Sequence, residues 1–184
     1  REGKFIMAAA VDIQHVIDDY HAMLTDEVAE EMDHLLRMRL LERGLYFGKR
    51  PLCIVLRPHF YFEQDWQFMR DGLETLLTAF MKAHEVCAAN ADYRAQLHLD
   101  PYEEELFVLD KGGPVPWSSS RLDTFYVVED RTLNCVEYNA ETPAGIGYGD
   151  ELGYVFDTMP TMQRFAQRFD MTFNPCLGNL HTAL

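Results

Sequence analysis

The stretch RLDTFYVVEDRTLNCVEYNAETPAGIGYGD, residues 121–150, decides how the second half of this chain folds. Two of its segments, 121–128 and 133–139, are rich in β-branched and aromatic residues, and the polar tripeptide at 129–131 separates them. Short segments of that composition on either side of a polar turn are typical of a β-hairpin. The sequence therefore predicts two antiparallel strands here.

The alternation along these strands also predicts a register. If the turn closes with Val128 opposite Thr132, period-two alternation places one set of paired residues on a single face of the hairpin. The pairs in that set are Val127–Leu133, Phe125–Cys135, Asp123–Glu137 and Arg121–Asn139.

Two carboxylates, Asp123 and Glu137, then lie directly opposite each other, and like charges in that position destabilise a sheet. A positive group between them relieves the repulsion, and Arg121 is one candidate. The other is a metal ion, because carboxylate and amide oxygens from Asp123, Glu137 and Asn139 form the oxygen-only set that Mg2+ prefers. A surface hairpin with a solvated charge cluster is the plain alternative.

A glycine-containing loop follows the second strand and leads into a predicted helix. Gly145, Gly147 and Gly149 allow backbone N–H groups to approach an anionic ligand closely. The same glycines also suit a flexible connection with positive φ angles. The spacing matches neither a dinucleotide-binding loop nor a phosphate-binding loop with Gly-Lys-Ser/Thr.

These residues resemble the ATP-grasp superfamily of carboxylate–amine ligases. The resemblance lies in Arg121-Leu122-Asp123, then Glu137-Tyr138-Asn139, then Thr142-Pro143-Ala144-Gly145. The segment EYNAETP, residues 137–143, resembles sequences of the circularly permuted branch that includes glutathionylspermidine synthetase. In that branch this hairpin lies N-terminal to the rest of the ATP-grasp core.

The resemblance implies a role for each matched residue. Asp123, Glu137 and Asn139 would hold Mg2+ or Mn2+, and Arg121 would stabilise the charge of a phosphate or acyl phosphate. Thr142 and Gly145 would contact the substrate. The implied activity is ATP-dependent: a carboxylate is activated as an acyl phosphate and passed to an amine.

An ATP-grasp enzyme also needs lysines and a mobile loop that hold the nucleotide. The chain has four lysines, Lys4, Lys49, Lys82 and Lys111, and none has a nucleotide-binding context. We therefore expect an N-terminal portion of a larger enzyme, inactive alone, whose partner is the rest of the ATP-grasp core. The alternative is a non-catalytic module that binds a small anionic metabolite or a partner protein.

Composition narrows the possible partners. Sixteen basic and thirty acidic residues give a formal net charge of -14, which disfavours nucleic acids and anionic membranes as ligands. No apolar run approaches the roughly 20 residues of a membrane span, and no signal-peptide pattern is present. Four separated cysteines form no C-x-x-C pair. We expect a cytoplasmic protein.

The first half of the chain reads as helical with one strand. Amphipathic patterns predict helices over 12–24, over 26–43 after a Thr25 cap, and over 65–89, and Asp100-Pro101 opens a short helix to about Leu109. The apolar run 52–56 predicts a buried strand. Arg57 and His59 follow it, at the strand end where ligands bind in open α/β sheets, with a plain ion-pair or turn role as the alternative.

The run KGGPVP at residues 111–116 is the best candidate for a boundary. It predicts a helical α/β lobe over 1–113, followed over 114–184 by the hairpin, the glycine loop and further helices. The expected fold class is mixed, helix-rich α/β, with the hairpin belonging to an ATP-grasp-like core.

Overall fold

A computed structural model describes residues 12–109, 116–140 and 143–183. The described chain is mixed, helix-rich α/β with two small antiparallel hairpins, in agreement with the predicted class. The elements are α1 (Ile13–His21), α2 (Asp26–Glu42), β1 (Tyr46–Phe47), β2 (Arg50–Pro51), α3 (Glu63–Ala89), α4 (Ala91–Arg94), a 3-10 turn (Ala95–Leu97), α5 (Pro101–Leu109), β3 (Arg121–Val127), β4 (Thr132–Asn139), α6 (Ile146–Asp157), α7 (Pro160–Phe165) and α8 (Cys176–Ala183).

Backbone contacts divide the chain into two compact units. The first comprises Arg1–Phe62 with Gly145–Leu184, and the second comprises Glu63–Ala144. Residues 110–115, which contain most of the boundary motif, lie outside the described part of the chain. The domain division near residue 113 stays a prediction.

Helix α2 forms as its sequence predicts. The Thr25 hydroxyl accepts a hydrogen bond from the backbone N–H of Val28, and Gly44 adopts a positive φ of 67° just after the helix. A side-chain cap at one end and a left-handed glycine beyond the other satisfy backbone groups that a helix leaves unpaired. The predicted apolar stripe is confirmed, with Met32, Leu36 and Leu40 buried.

The first unit contains two hydrophobic clusters. The larger joins the stripe of α2 to α6 and the segment that follows it, through Val155, Phe156 and Met159. The smaller joins Val16 and Tyr20 of α1 to Phe165 of α7, where the Tyr20 and Phe165 rings meet edge to face at 5.1 Å. Burial of these side chains holds the sequence-distant α1, α2, α6 and α7 together.

The predicted strand over residues 52–56 is wrong. Only Cys53 of that run is buried, whereas the side chains of Ile54 and Val55 remain 63% and 58% exposed. The strands nearest to this run precede it: β1 and β2 have two residues each, and Tyr46 pairs with Pro51 and Phe47 with Arg50. No strand in the described part of the chain pairs with this five-residue apolar run, and hydrophobicity alone does not make a strand.

The second unit is built on the long helix α3, whose predicted existence is confirmed. Arg94 of α4, buried beside it, donates to the α3 carbonyl of Cys87 at 2.7 Å and to Glu104 at 2.7 Å. Helix α5 begins as predicted: the Glu103 carboxylate accepts from the backbone N–H of Asp100 at 2.8 Å. By accepting this hydrogen bond, Glu103 satisfies a backbone N–H just before the helix and supports the start of α5.

Strands β3 and β4 pair antiparallel, and the predicted register holds at one end only. Arg121 pairs with Asn139 and Asp123 with Glu137, but a register shift after Asp123 puts Thr124 opposite Cys135 and Phe125 opposite Asn134. The predicted pairs nearer the turn, Phe125–Cys135, Val127–Leu133 and Val128–Thr132, are therefore wrong.

The turn accounts for the shift. It spans four residues, 128–131, instead of the three expected, and Arg131 adopts a left-handed φ of 53°. A bulge at Val136 absorbs the extra offset, as bulges do when one strand carries a residue more than its partner.

One face of the hairpin packs on α3. The Tyr126 ring lies 6.0 Å from that of Phe68, and the Tyr138 ring lies 4.7 Å from that of Phe80. Gly72 lets Leu133 approach, because a Cβ there would meet the Leu133 side chain at 3.0 Å. Within the described ranges, no helix is long and apolar enough to cross a membrane.

Candidate functional site

The predicted site residues of the hairpin lie together. Arg121 is paired with Asn139 and Asp123 with Glu137, as the sequence predicted. Residues directly opposite each other in an antiparallel pair project from the same face, as do residues two apart along one strand. Because Leu122, Tyr126 and Tyr138 belong to the face turned to α3, the four site side chains project from the other face.

Arg121 neutralises one of the two carboxylates. Its Nε donates to Oδ1 of Asp123 at 2.7 Å and its Nη2 to Oδ2 at 3.3 Å. Both side chains are a little over 40% exposed, at 43% and 41%. The hydrogen bond and charge of Asp123, with a smaller contribution from Glu137, raise the pKa of Arg121 above its ordinary value. The positive group expected beside the carboxylates is therefore present as Arg121.

The same guanidinium reaches the loop after β4. Its Nη1 donates to the backbone carbonyl of Ala144 at 2.7 Å. One side chain thus ties the start of β3 to the segment that the sequence predicts to contact substrate. Sequence reasoning missed this link, because no pattern reveals which backbone carbonyl a side chain will reach.

Glu137 and Asn139 retain binding capacity. The Glu137 side chain is exposed and makes no hydrogen bond or ion pair with another described residue. The side-chain nitrogen of Asn139 is buried and has no hydrogen-bond partner in the described part of the chain. A buried polar group left unsatisfied costs about 1–3 kcal/mol. A ligand oxygen that accepts from this amide would remove that cost.

The donor chemistry fits a hard divalent cation. Carboxylates from two strands and an amide oxygen are ligands that Mg2+ takes together with waters and substrate oxygens. Arg121 already engages both oxygens of Asp123, so a cation here competes with the guanidinium. Among the residues that the structure describes, no three His, Cys, Asp or Glu side chains form a metal-binding group.

The two predicted substrate-contact residues fare differently. Thr142 lies outside the described residues. Gly145 is the N-cap of α6 with a φ of 110°, a conformation that favours glycine, and nothing lies within 4 Å of where a Cβ would be. It belongs to the first unit, and its role in substrate binding stays a prediction.

A buried polar cluster that sequence reasoning missed fixes the hairpin on α3. Asp65, only 6% exposed, accepts a hydrogen bond from the Tyr126 hydroxyl at 2.7 Å and lies 3.8 Å from Nε of Arg131. The Arg131 guanidinium also lies 5.0 Å from the centre of the Phe68 ring. The one available signal was an acidic residue in the first turn of a helix otherwise predicted as apolar core.

Comparison of the chain with protein-family models, with curated proteins and with solved structures found no match. The residues of the hairpin and their chemistry therefore carry the functional argument.

Proposed function

We propose that this chain carries the metal- and acyl-phosphate-binding part of an ATP-dependent carboxylate–amine ligase of the circularly permuted ATP-grasp type, acting in the cytoplasm. One observation carries the proposal: the register that sets Arg121 opposite Asn139 and Asp123 opposite Glu137. It gathers on one surface every described hairpin residue for which the resemblance implies a role. In this proposal β3 and β4 belong to an ATP-grasp-like core.

Each residue has a part in the proposed chemistry. Asp123, Glu137 and Asn139 would hold Mg2+, which when bound neutralises phosphate charge during phosphoryl transfer. Arg121 presents a planar fork of N–H donors to the negative oxygens of the acyl phosphate. The side-chain nitrogen of Asn139, which has no partner among the described residues, donates to a substrate oxygen.

The reaction balances as two displacements. A substrate carboxylate oxygen attacks the γ-phosphorus of ATP and ADP leaves, which gives the acyl phosphate. The amine nitrogen then attacks the acyl carbon, phosphate leaves, and the nitrogen loses a proton. Thr142 and Gly145 would position the carboxylate substrate.

Nucleotide binding falls to the rest of the ATP-grasp core in the parent protein. Of the four lysines, Lys49 is exposed in the turn between β1 and β2 and Lys82 is exposed on α3. Lys4 and Lys111 lie outside the described residues. We therefore expect no product from this chain incubated with ATP, Mg2+ and a panel of peptides and polyamines. Turnover above background would contradict this assignment of the nucleotide site.

The metal part of the proposal is tested by binding. Mn2+ is titrated into the wild-type chain and the free ion is followed by electron paramagnetic resonance. We expect Glu137→Gln to weaken Mn2+ binding at least tenfold. Glu105→Gln is the matched control, because Glu105 is exposed on α5 and this substitution removes the same charge. Equal affinities in the wild type and both variants would show that the hairpin holds no metal.

A non-catalytic module for a small anionic metabolite or a partner protein is the second candidate. The ion pair between Arg121 and Asp123 favours it, because this pair neutralises the Asp123 carboxylate without a metal. Binding of pyrophosphate in the absence of a divalent ion, lost in Arg121→Gln, would support it over the ligase.

A further inference from the structure

A second chemically unusual cluster surrounds Arg57 in the first unit. The Nε of Arg57 donates to Nε2 of His21 at 3.1 Å, and its Nη1 donates to the carbonyl of Pro58 at 3.0 Å. The guanidinium carbon lies 5.9 Å from the centre of the Phe60 ring. These contacts fix the orientation of the guanidinium while leaving some of its N–H groups with no acceptor among the described residues.

Arg57 lacks a negative partner where comparable arginines have one. Taken as whole residues, three described arginines are less exposed than the others: Arg39 and Arg57 are half-buried, and Arg94 is buried. Arg39 pairs with Glu42 at 3.9 Å and Arg94 with Glu104 at 2.7 Å. Arg57 pairs with no carboxylate in the described ranges, although the chain has thirty acidic residues and sixteen basic ones. A partly buried cation without a counter-ion is unfavourable, and a bound anion would remedy that.

The neighbouring imidazoles add donors and no negative charge. His21 accepts at Nε2, so when neutral it carries its proton on Nδ1. His59 stacks on Tyr61 with ring centroids 4.6 Å apart, and its Nδ1 lies 3.2 Å from the Tyr61 hydroxyl. Burial, followed by the charge of Arg57, lowers the pKa of His59. Arg57 is therefore a positive neighbour of His59 in a protein that is strongly acidic overall.

We propose that Arg57, His21 and His59 form a binding site for a compact oxyanion, either phosphate or a carboxylate. Arg57 contributes a pre-oriented fork that suits two oxygens of one ligand. The imidazoles contribute further N–H donors. The site lies wholly within the first unit and does not depend on the ligase proposal.

The test is titration of the wild-type chain with inorganic phosphate and, separately, with sodium acetate, observed through the imidazole resonances of His21 and His59. We expect saturable shifts with a Kd on the order of millimolar. Phosphate should also raise the pKa of His59, because an anion offsets the charge of Arg57. A stronger response to phosphate than to acetate, or the reverse, identifies the preferred ligand.

Four variants complete the test. Arg57→Gln should weaken binding at least tenfold, and Arg57→Lys several-fold, since lysine keeps the charge and loses the fork. The control is Arg164→Gln, which removes an exposed arginine that forms no ion pair with a described residue. Should Arg57→Gln not fold, Arg57→Lys and His59→Gln provide the comparison. Absence of saturable shifts with both anions, or equal weakening in Arg164→Gln, would overturn the proposal.

Discussion

The guanidinium of Arg121 engages both carboxylate oxygens of Asp123, at 2.7 Å through Nε and 3.3 Å through Nη2. The hairpin thus carries its own counter-ion at the place where the proposed metal would bind. Any divalent cation at Asp123 competes with that guanidinium, and the competition has a measurable sign.

Replacing Arg121 with glutamine should tighten Mn2+ binding about three- to tenfold, because a competing positive charge leaves Asp123. Arg121→Lys keeps the charge and should change the affinity less. Mn2+ titration followed by electron paramagnetic resonance measures both, with Arg70→Gln as a control for loss of an exposed arginine in the same unit. Weaker Mn2+ binding in Arg121→Gln would instead show that Arg121 helps to assemble the metal site.

The variant Asp123→Asn should fold normally and bind Mg2+ poorly. The ion pair that it removes is largely solvated, so we expect the melting temperature without metal to change by less than about 3 °C. Added Mg2+ should raise the melting temperature of the wild type more than that of the variant. A variant that melts far lower without metal, with equal responses to Mg2+, would make Asp123 a structural partner of Arg121 and nothing more.

Replacing Asp65 with alanine should destabilise the second unit by about 2–3 kcal/mol, since the Tyr126 hydroxyl would lose its buried acceptor and Arg131 its carboxylate ion-pair partner. Both tryptophans, Trp66 and Trp117, belong to this unit, so urea unfolding followed by their fluorescence reports on it. Asp71→Ala, on the exposed side of the same helix, is the control. Equal unfolding midpoints for the two variants would argue against the anchoring role of Asp65.

Asp150 should hold the start of α8. Its buried carboxylate accepts from the backbone N–H groups of Cys176 and Leu177, at 2.7 and 2.8 Å. Asp150→Ala should therefore speed hydrogen exchange at those two amides, whereas Asp157→Ala, at the exposed end of α6, should leave them unchanged. Burial and, to a smaller extent, the charge of Asp150 raise the pKa of Cys176. Asp150→Ala should therefore also lower the pKa of Cys176. Iodoacetamide reactivity against pH measures that shift.

His59 should titrate below the ordinary histidine value of about 6.5. A lowered pKa means that the folded state resists protonation, so this group's contribution to stability is complete above pH ~6.5 and is lost as the pH falls toward the folded value. Arg57→Gln should move the titration upward, because it removes one cause of the lowering. A proton resonance titration that finds the same midpoint in both proteins would contradict the electrostatic link to Arg57.

Local rules predicted the helices well. In α2, an N-cap, an apolar stripe and a closing glycine all lie within about twenty residues of sequence, and each acts through contacts along the chain. The strand prediction for residues 52–56 was wrong because a strand also needs a partner strand, and the tertiary fold decides whether one is present. No periodicity distinguishes such a run from an extended, partly exposed connection.

The candidate site was predicted in part for similar reasons. Alternation sufficed to place Arg121, Asp123, Glu137 and Asn139 on one face. The turn length did not follow from it, because the left-handed conformation of Arg131 goes together with contacts to α3 that the local sequence does not encode. The orphaned nitrogen of Asn139 required three-dimensional packing to be seen, and the metal and substrate roles stay predictions.

The bulge at Val136 divides the hairpin into two lengths of ladder whose offsets differ by one residue. The strand pairing on the two sides of the bulge can therefore differ: the turn and its anchoring contacts take one register, and the charged end keeps another. Related chains can therefore lengthen or shorten the turn and compensate at the bulge. Insertions or deletions near residue 130 then leave the pairing of Asp123 with Glu137 unchanged. Alignments of such chains should accordingly place gaps on the turn side of Val136 and keep the charged end ungapped.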